Sequence, residues 1–176
     1  MKGEESMRYI PLLFILTIAS CLGLAIFNFV KDFEKRRFNL ISLAYLTFLA
    51  TILFTPISFD GSSVYLMPAG VGQVNLHQLD IWELGFAENI ILTVPLGFLI
   101  KYYLPKISII SMALAGFLIG GLIETAQFFL SHIFLINRTS DINDVIANAL
   151  GIVIGAILMI IYEKITEKTS SKQSHV

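Results

Sequence analysis

Five blocks of this chain, each about twenty residues long, hold almost nothing but apolar side chains. A helix needs roughly 20 such residues to cross the hydrocarbon core of a bilayer. In that core only helices and closed barrels satisfy every backbone polar group. The blocks therefore predict an all-α, polytopic membrane helix bundle. Its spans run about Tyr9 to Val30, Leu40 to Phe59, Phe86 to Leu104, Ser108 to Leu130 and Ile142 to Tyr162. Only 14% of residues are charged and the mean hydropathy is +0.78. A soluble domain carries about a quarter charged residues, so a water-soluble fold is excluded. No nucleic acid and no cofactor are expected.

Lys and Arg near span ends orient a membrane protein. The segment KDFEKRR (Lys31 to Arg37) holds four, the third-to-fourth junction holds Lys101 and Lys106, and the tail holds Lys164, Lys168 and Lys172. With five spans these segments share one side, which predicts an outer N-terminus and a cytoplasmic C-terminus. The chain divides into a first span with its basic loop (1–38), a membrane domain (39–162) and a polar tail (163–176) expected to be disordered beyond its first turn. Ile18-Ala19-Ser20-Cys21 fits a lipoprotein signal box. The apolar run continues past Cys21 to Val30, whereas a cleaved signal should end there. Cys21 is therefore expected to be an ordinary helix residue.

Three spans carry polar residues where lipid should be. Residues three or four apart share a helix face. Asn89, Thr93 and Gly97 form one such stripe in the third span. Gly116, Gly120, Glu124 and Gln127 form another in the fourth. Asp144, Asn148, Gly151 and Gly155 form a third in the fifth, with Asp141 just above it. Under the predicted topology the polar residues lie toward the outer side and the glycines deeper. Glycines spaced this way let helix backbones approach closely. Glu124 lies six residues before Leu130, roughly 9 Å inside the span. A carboxylate at that depth must face the bundle interior or a wet cavity, be paired, or be protonated. The stripes predict a polar pocket open to the outer leaflet. Pro95 removes a helix hydrogen bond, and a kink there would widen the mouth. The turn holding Arg138 lies over the pocket. Arg138 can reach Glu124, Asp141 or Asp144, or an anionic headgroup, and a solvated charge is the plain alternative. Asp141 or Ser140 can equally cap the fifth helix. Helix-to-helix hydrogen bonding is the alternative for the whole cluster.

The motifs ENIILTVPLGFLI (Glu88 to Ile100), GLIETAQFF (Gly121 to Phe129) and RTSDINDVIANALGIVIG (Arg138 to Gly155) resemble those of the VanZ-like family. Asn89, Pro95, Gly97, Glu124, Gln127, Arg138, Asp141, Asp144, Asn148 and Gly151 land on the family pattern, over about residues 40 to 162. Many members carry Asn-Leu-Ile-Pro-Phe in the outer loop. Here Asn75-Leu76 is followed by His77-Gln78-Leu79, without the Pro-Phe. The resemblance implies a multi-pass protein of a bacterial cell membrane, associated with resistance to teicoplanin, a glycopeptide that carries an acyl chain. It implies no settled biochemical activity.

Three mechanisms fit. In the first, Asn89, Glu124, Gln127, Arg138, Asp141, Asp144 and Asn148 bind a membrane lipid or lipid-anchored amphiphile, with Pro95, Gly97, Gly120, Gly151 and Gly155 shaping the fold. In the second, Glu124 with Asp144 or Asp141 supplies acid and base to a lipid-linked substrate, while Arg138 holds a phosphate. No activated Ser or Cys nucleophile stands beside them, and catalytic residues stay unassigned. In the third, the protein is a scaffold for cell-wall enzymes and its glycine faces are oligomer contacts. A homo-oligomer suits the first reading as well. His77, Asp80 and Glu83 stand at i, i+3 and i+6, but such spacing is common on a solvated turn, and no metal is expected.

Overall fold

The structure, a computed structural model, describes residues 6–59 and 62–173, with side chains to 168. Five helices carry the five apolar blocks: α1 (Ile10–Phe29), α2 (Phe33–Phe54), α3 (Leu84–Tyr103), α4 (Ile109–Phe134) and α5 (Ile142–Gln173). Each is long and apolar enough to cross a membrane.

Local chemistry sets their ends. Asp32 is the N-cap of α2, its carboxylate accepting from the Lys35 N–H at 2.8 Å. The basic segment expected to be a loop is therefore largely the first turns of α2. At the other end Thr55 is extended and Pro56 follows. A residue before proline avoids the helical region, so α2 stops at Phe54, short of the predicted Phe59. Ile57–Phe59 instead forms β1, paired antiparallel with β2 (Val64–Leu66) in the register Ile57 to Leu66. Two further short strands, β3 (Val74–Asn75) and β4 (Ser140–Asp141), pair with each other. The tail also differs from expectation. α5 continues to Gln173, because adding residues to a standing helix is far easier than nucleating one. Residues 174–176 of the tail lie outside the described residues.

The chain forms two units. One holds residues 1–75 and 123–140, the other 76–122 and 141–176. α4 is continuous through both, with residues 109–122 in the second and 123–134 in the first. In the first unit α1 and α2 lie side by side, joined by a short turn, with Leu43 against Gly23. In the second, α3 and α5 run parallel and the first half of α4 runs antiparallel to α5. The order of contacts shows this: Gly151 meets Ile90 and Gly155 meets Phe98, whereas Gly116 meets Ala149 and Gly120 meets Val145. These relative directions are those of alternating spans.

Glycine explains the closeness of the second unit. A Cβ on Gly97 would strike the Ile152 carbonyl, and one on Gly155 the Val94 carbonyl. One on Gly151 would strike Thr93 Oγ1 and the Ile90 carbonyl. Met112, Ile152 and Ala156 fill the space beside these contacts.

Candidate functional site: the polar stripe of the fourth helix

One face of α4 is buried along its length. Met112, Gly116, Gly120, Glu124, Gln127 and Ser131 follow one another at helical spacing, and all are buried. The first three lie in the second unit, where small side chains and glycine admit α5. The last three lie in the first unit, and all three are polar.

In the first unit this stripe meets the end of α2. Glu124 is 7% exposed and Gln127 is 5% exposed. Gln127 Nε2 donates to the Leu53 carbonyl at 3.1 Å. A carbonyl can only accept, so this bond fixes the amide orientation and leaves Oε1 as the other end. Oε1 is buried and meets no donor among the described residues. An unpaired acceptor of this kind costs about 1–3 kcal/mol. The backbone carbonyl of Glu124 accepts from Ser140 Oγ at 3.0 Å.

Arg138 lies at the same place. Its Nε donates to the Thr55 carbonyl at 3.2 Å, Nη1 to Ser58 Oγ at 3.5 Å, and Nη2 to the Ile57 carbonyl. The planar fork of guanidinium donors suits three acceptors within four residues. A cation beside the end of a helix also suits its dipole. Arg138 therefore closes the end of α2. Its own backbone is held by Ser131, whose Oγ accepts from Arg138 N–H at 2.8 Å and donates to Arg138 O at 3.1 Å. Leu135 and Asn137 turn the chain through left-handed backbone, at φ 55° and 61°. The loop around Gly70–Gly72 is laid against this turn. Gly72 has φ 72°, its N–H donates to Asn137 Oδ1 at 3.1 Å, and a side chain on it would strike the Arg138 carbonyl.

A second arginine, not selected from the sequence, ties the same end. Arg8 is 9% exposed. Its Nε donates to the Leu135 carbonyl at 2.9 Å and its Nη2 to the Met67 carbonyl at 2.6 Å. Its sequence signal is no more than a lone arginine at the foot of the first span.

The second unit holds the other predicted residues. Asn148 is 1% exposed, and neither its Oδ1 nor its Nδ2 meets a partner among the described residues. Its backbone carbonyl faces Thr93 Oγ1 at 3.3 Å, while that hydroxyl donates most closely to the Asn89 carbonyl, at 2.7 Å. Asp141 caps α5, accepting from Asn143 N–H at 2.8 Å. Asp144 stands in the first turn of α5, where a carboxylate suits the dipole. Asn143, also missed from the sequence, is 3% exposed. Its Nδ2 donates to the Gln78 carbonyl at 2.9 Å and its Oδ1 accepts from the Asp80 N–H at 3.0 Å. That pair pins loop 78–80 to the start of α5. Pro95 lies inside α3 on an exposed face.

The structure thus brings Gln127 and Arg138 to the end of α2 in one unit, with Glu124 one turn before Gln127 on the same buried face of α4. In the other it brings Asn89 and Asn148 to Thr93. No group of three His, Cys, Asp or Glu able to hold a metal occurs among the described residues.

Five membrane-length helices and polar side chains buried within them define a multi-pass integral membrane protein. A family model described as VanZ/LLP1 matches residues 14–163, and the chain belongs to that family. Neither a curated protein nor a solved structure matches it.

Proposed function

We propose that this protein engages an amphiphile from the outer leaflet of a bacterial cell membrane, either an acylated glycopeptide or a lipid-linked envelope component, and so contributes to teicoplanin-type resistance or envelope maintenance. The polar groups that meet it belong to the buried stripe of α4, Glu124 and Gln127.

One observation carries this reading. Gln127 Oε1 is a buried acceptor without a donor in the protein, one turn from the buried carboxyl of Glu124. A helix held together by its polar residues satisfies both ends of each amide, since membrane hydrogen bonds contribute only about 1 kcal/mol and an orphan removes that gain. Here one end of Gln127 holds α2 and the other is left to accept from a ligand N–H or O–H. A lipid-anchored ligand reaches such a group laterally, through the bilayer. That route suits an antibiotic with an acyl chain better than one without.

The test is susceptibility. A teicoplanin-sensitive Gram-positive host expressing this chain is expected to tolerate more teicoplanin and no more vancomycin than the empty host. Equal susceptibility to teicoplanin with and without the protein would overturn the resistance reading and leave handling of a native lipid or wall precursor.

A further inference from the structure

The hairpin of α1 and α2 contains a groove of about 560 Å³, lined by Leu16, Ala19, Ser20, Leu40, Ala44 and Thr47 among others. Its volume falls within the range of roughly 300–1,000 Å³ typical of ligand pockets. The groove is apolar despite its hydroxyls. Ser20 Oγ donates to the Leu16 carbonyl and Thr47 Oγ1 to the Leu43 carbonyl, each at 2.7 Å. These two of the three lining hydroxyls, the third being that of Thr51, are turned back on their own helices and ask nothing of an occupant.

The groove has one charged end. On α2 the lining residues Leu40, Ala44, Thr47 and Thr51 continue backward, four residues from Leu40, to Arg36. On α1 the lining residues Leu16, Ala19 and Ser20 continue forward, by helical spacing, to Gly23 and Phe27. These two continuations meet: the Arg36 guanidinium lies 5.4 Å from the centre of the Phe27 ring and 5.9 Å from that of Phe33. The neighbouring Arg37 is paired with Glu34 at 2.7 Å, whereas Arg36 has no carboxylate partner among the described residues. Lys31 and Lys35 stand beside it in the chain. An open apolar groove that points to an unpaired, ring-held guanidinium has the layout of a phospholipid with a net negative headgroup.

We infer that the α1–α2 groove is a binding site for an anionic phospholipid, with one acyl chain between the helices and the phosphate on Arg36. This site is separate from the α4 stripe and does not depend on the function proposed for it. Ala19, Ser20 and Ala44 also make the groove narrow-walled enough for a second helix, but a helix has no use for the cation at its end.

The full-length protein, purified in detergent, tests this by native mass spectrometry with phosphatidylglycerol or phosphatidylcholine of identical acyl chains. Phosphatidylglycerol is expected to be retained preferentially. Arg36→Gln is expected to lower that retention by about fivefold, the worth of one cation at an anionic surface, and leave phosphatidylcholine unchanged. Ala44→Phe, which fills the groove and leaves the basic turn intact, is expected to lower retention of both lipids. Equal retention of the two lipids by the unmutated protein, or undiminished phosphatidylglycerol on Arg36→Gln, would overturn the proposal. A dimer abolished by Ala44→Phe, with lipid retention unaffected, would overturn it in favour of a second copy of the chain.

Discussion

The two units hold their helices by opposite means. In the second, 44% of the α5 span is buried, against 6% of the α1 span in the first. α5 reaches that figure because Gly97, Gly151 and Gly155 let backbones touch. Among the described residues the first unit has no such seam. Its end is closed by two arginines on backbone carbonyls and by Gln127 on Leu53. In lipid there is no hydrophobic drive to bring helices together. Close packing and hydrogen bonds are what remain, and each unit relies chiefly on one of them. Each unit also holds a buried amide with unused polar atoms, Gln127 in the first and Asn148 in the second, and the first adds the α1–α2 groove.

The largest effect should come from the glycine seam. Gly151→Leu places a side chain into Thr93 Oγ1 and the Ile90 carbonyl. Overpacking costs about 1–3 kcal/mol where side chains can yield, and a carbonyl yields less. The variant should lose most of its folded material, measured as monodisperse protein after detergent extraction. Extraction at the unmutated level would break the contrast between the units. Next comes Arg138→Gln, which strips donors from Thr55 and Ile57. Charge-assisted bonds contribute about 1.5–3 kcal/mol each, so a lower Tm in detergent is expected. Arg138→Lys should restore little of it, since an ammonium cannot match the fork. A full restoration would show that charge alone closes α2. Arg8→Gln, with two acceptors at stake, should lower Tm by less than Arg138→Gln. The smallest effect is expected for Asn143→Ala. It should cost about 1 kcal/mol of stability yet speed protease cleavage between Leu76 and Glu83. Unchanged cleavage would mean that the Gln78 and Asp80 contacts do not hold that loop.

Much of the packed unit was legible in the sequence. Glycine at helical spacing has one dominant meaning inside a membrane, and the directions of α3, α4 and α5 follow from alternation. The hydrogen-bonded unit was harder to read. Nothing in the order of residues says that Arg138 will cap α2, because two of its acceptors are the Thr55 and Ile57 backbone carbonyls about 80 residues away, and carbonyls carry no sequence signal. The same holds for Arg8 and Met67. Hydropathy carries the predicted second span past Pro56 to Phe59, because Ile57 and Phe59 are as apolar in a strand as in a helix. Asn143 is uncharged and its partners are backbone groups of residues 78 and 80, so it carries no sequence signal either. Of the candidate residues, Asp141 does what a residue before a helix ordinarily does. Gln127 and Asn148 differ, being buried with polar atoms unused.

The most direct measurement is teicoplanin susceptibility of cells carrying Glu124→Gln, at membrane abundance matched to the unmutated chain. The amide keeps the size of the side chain and can still hydrogen-bond, so a purely structural Glu124 would tolerate it. The account predicts that protection is lost while abundance and Tm in detergent are retained. Protection equal to that of the unmutated protein would contradict the assignment of the α4 stripe as the functional site.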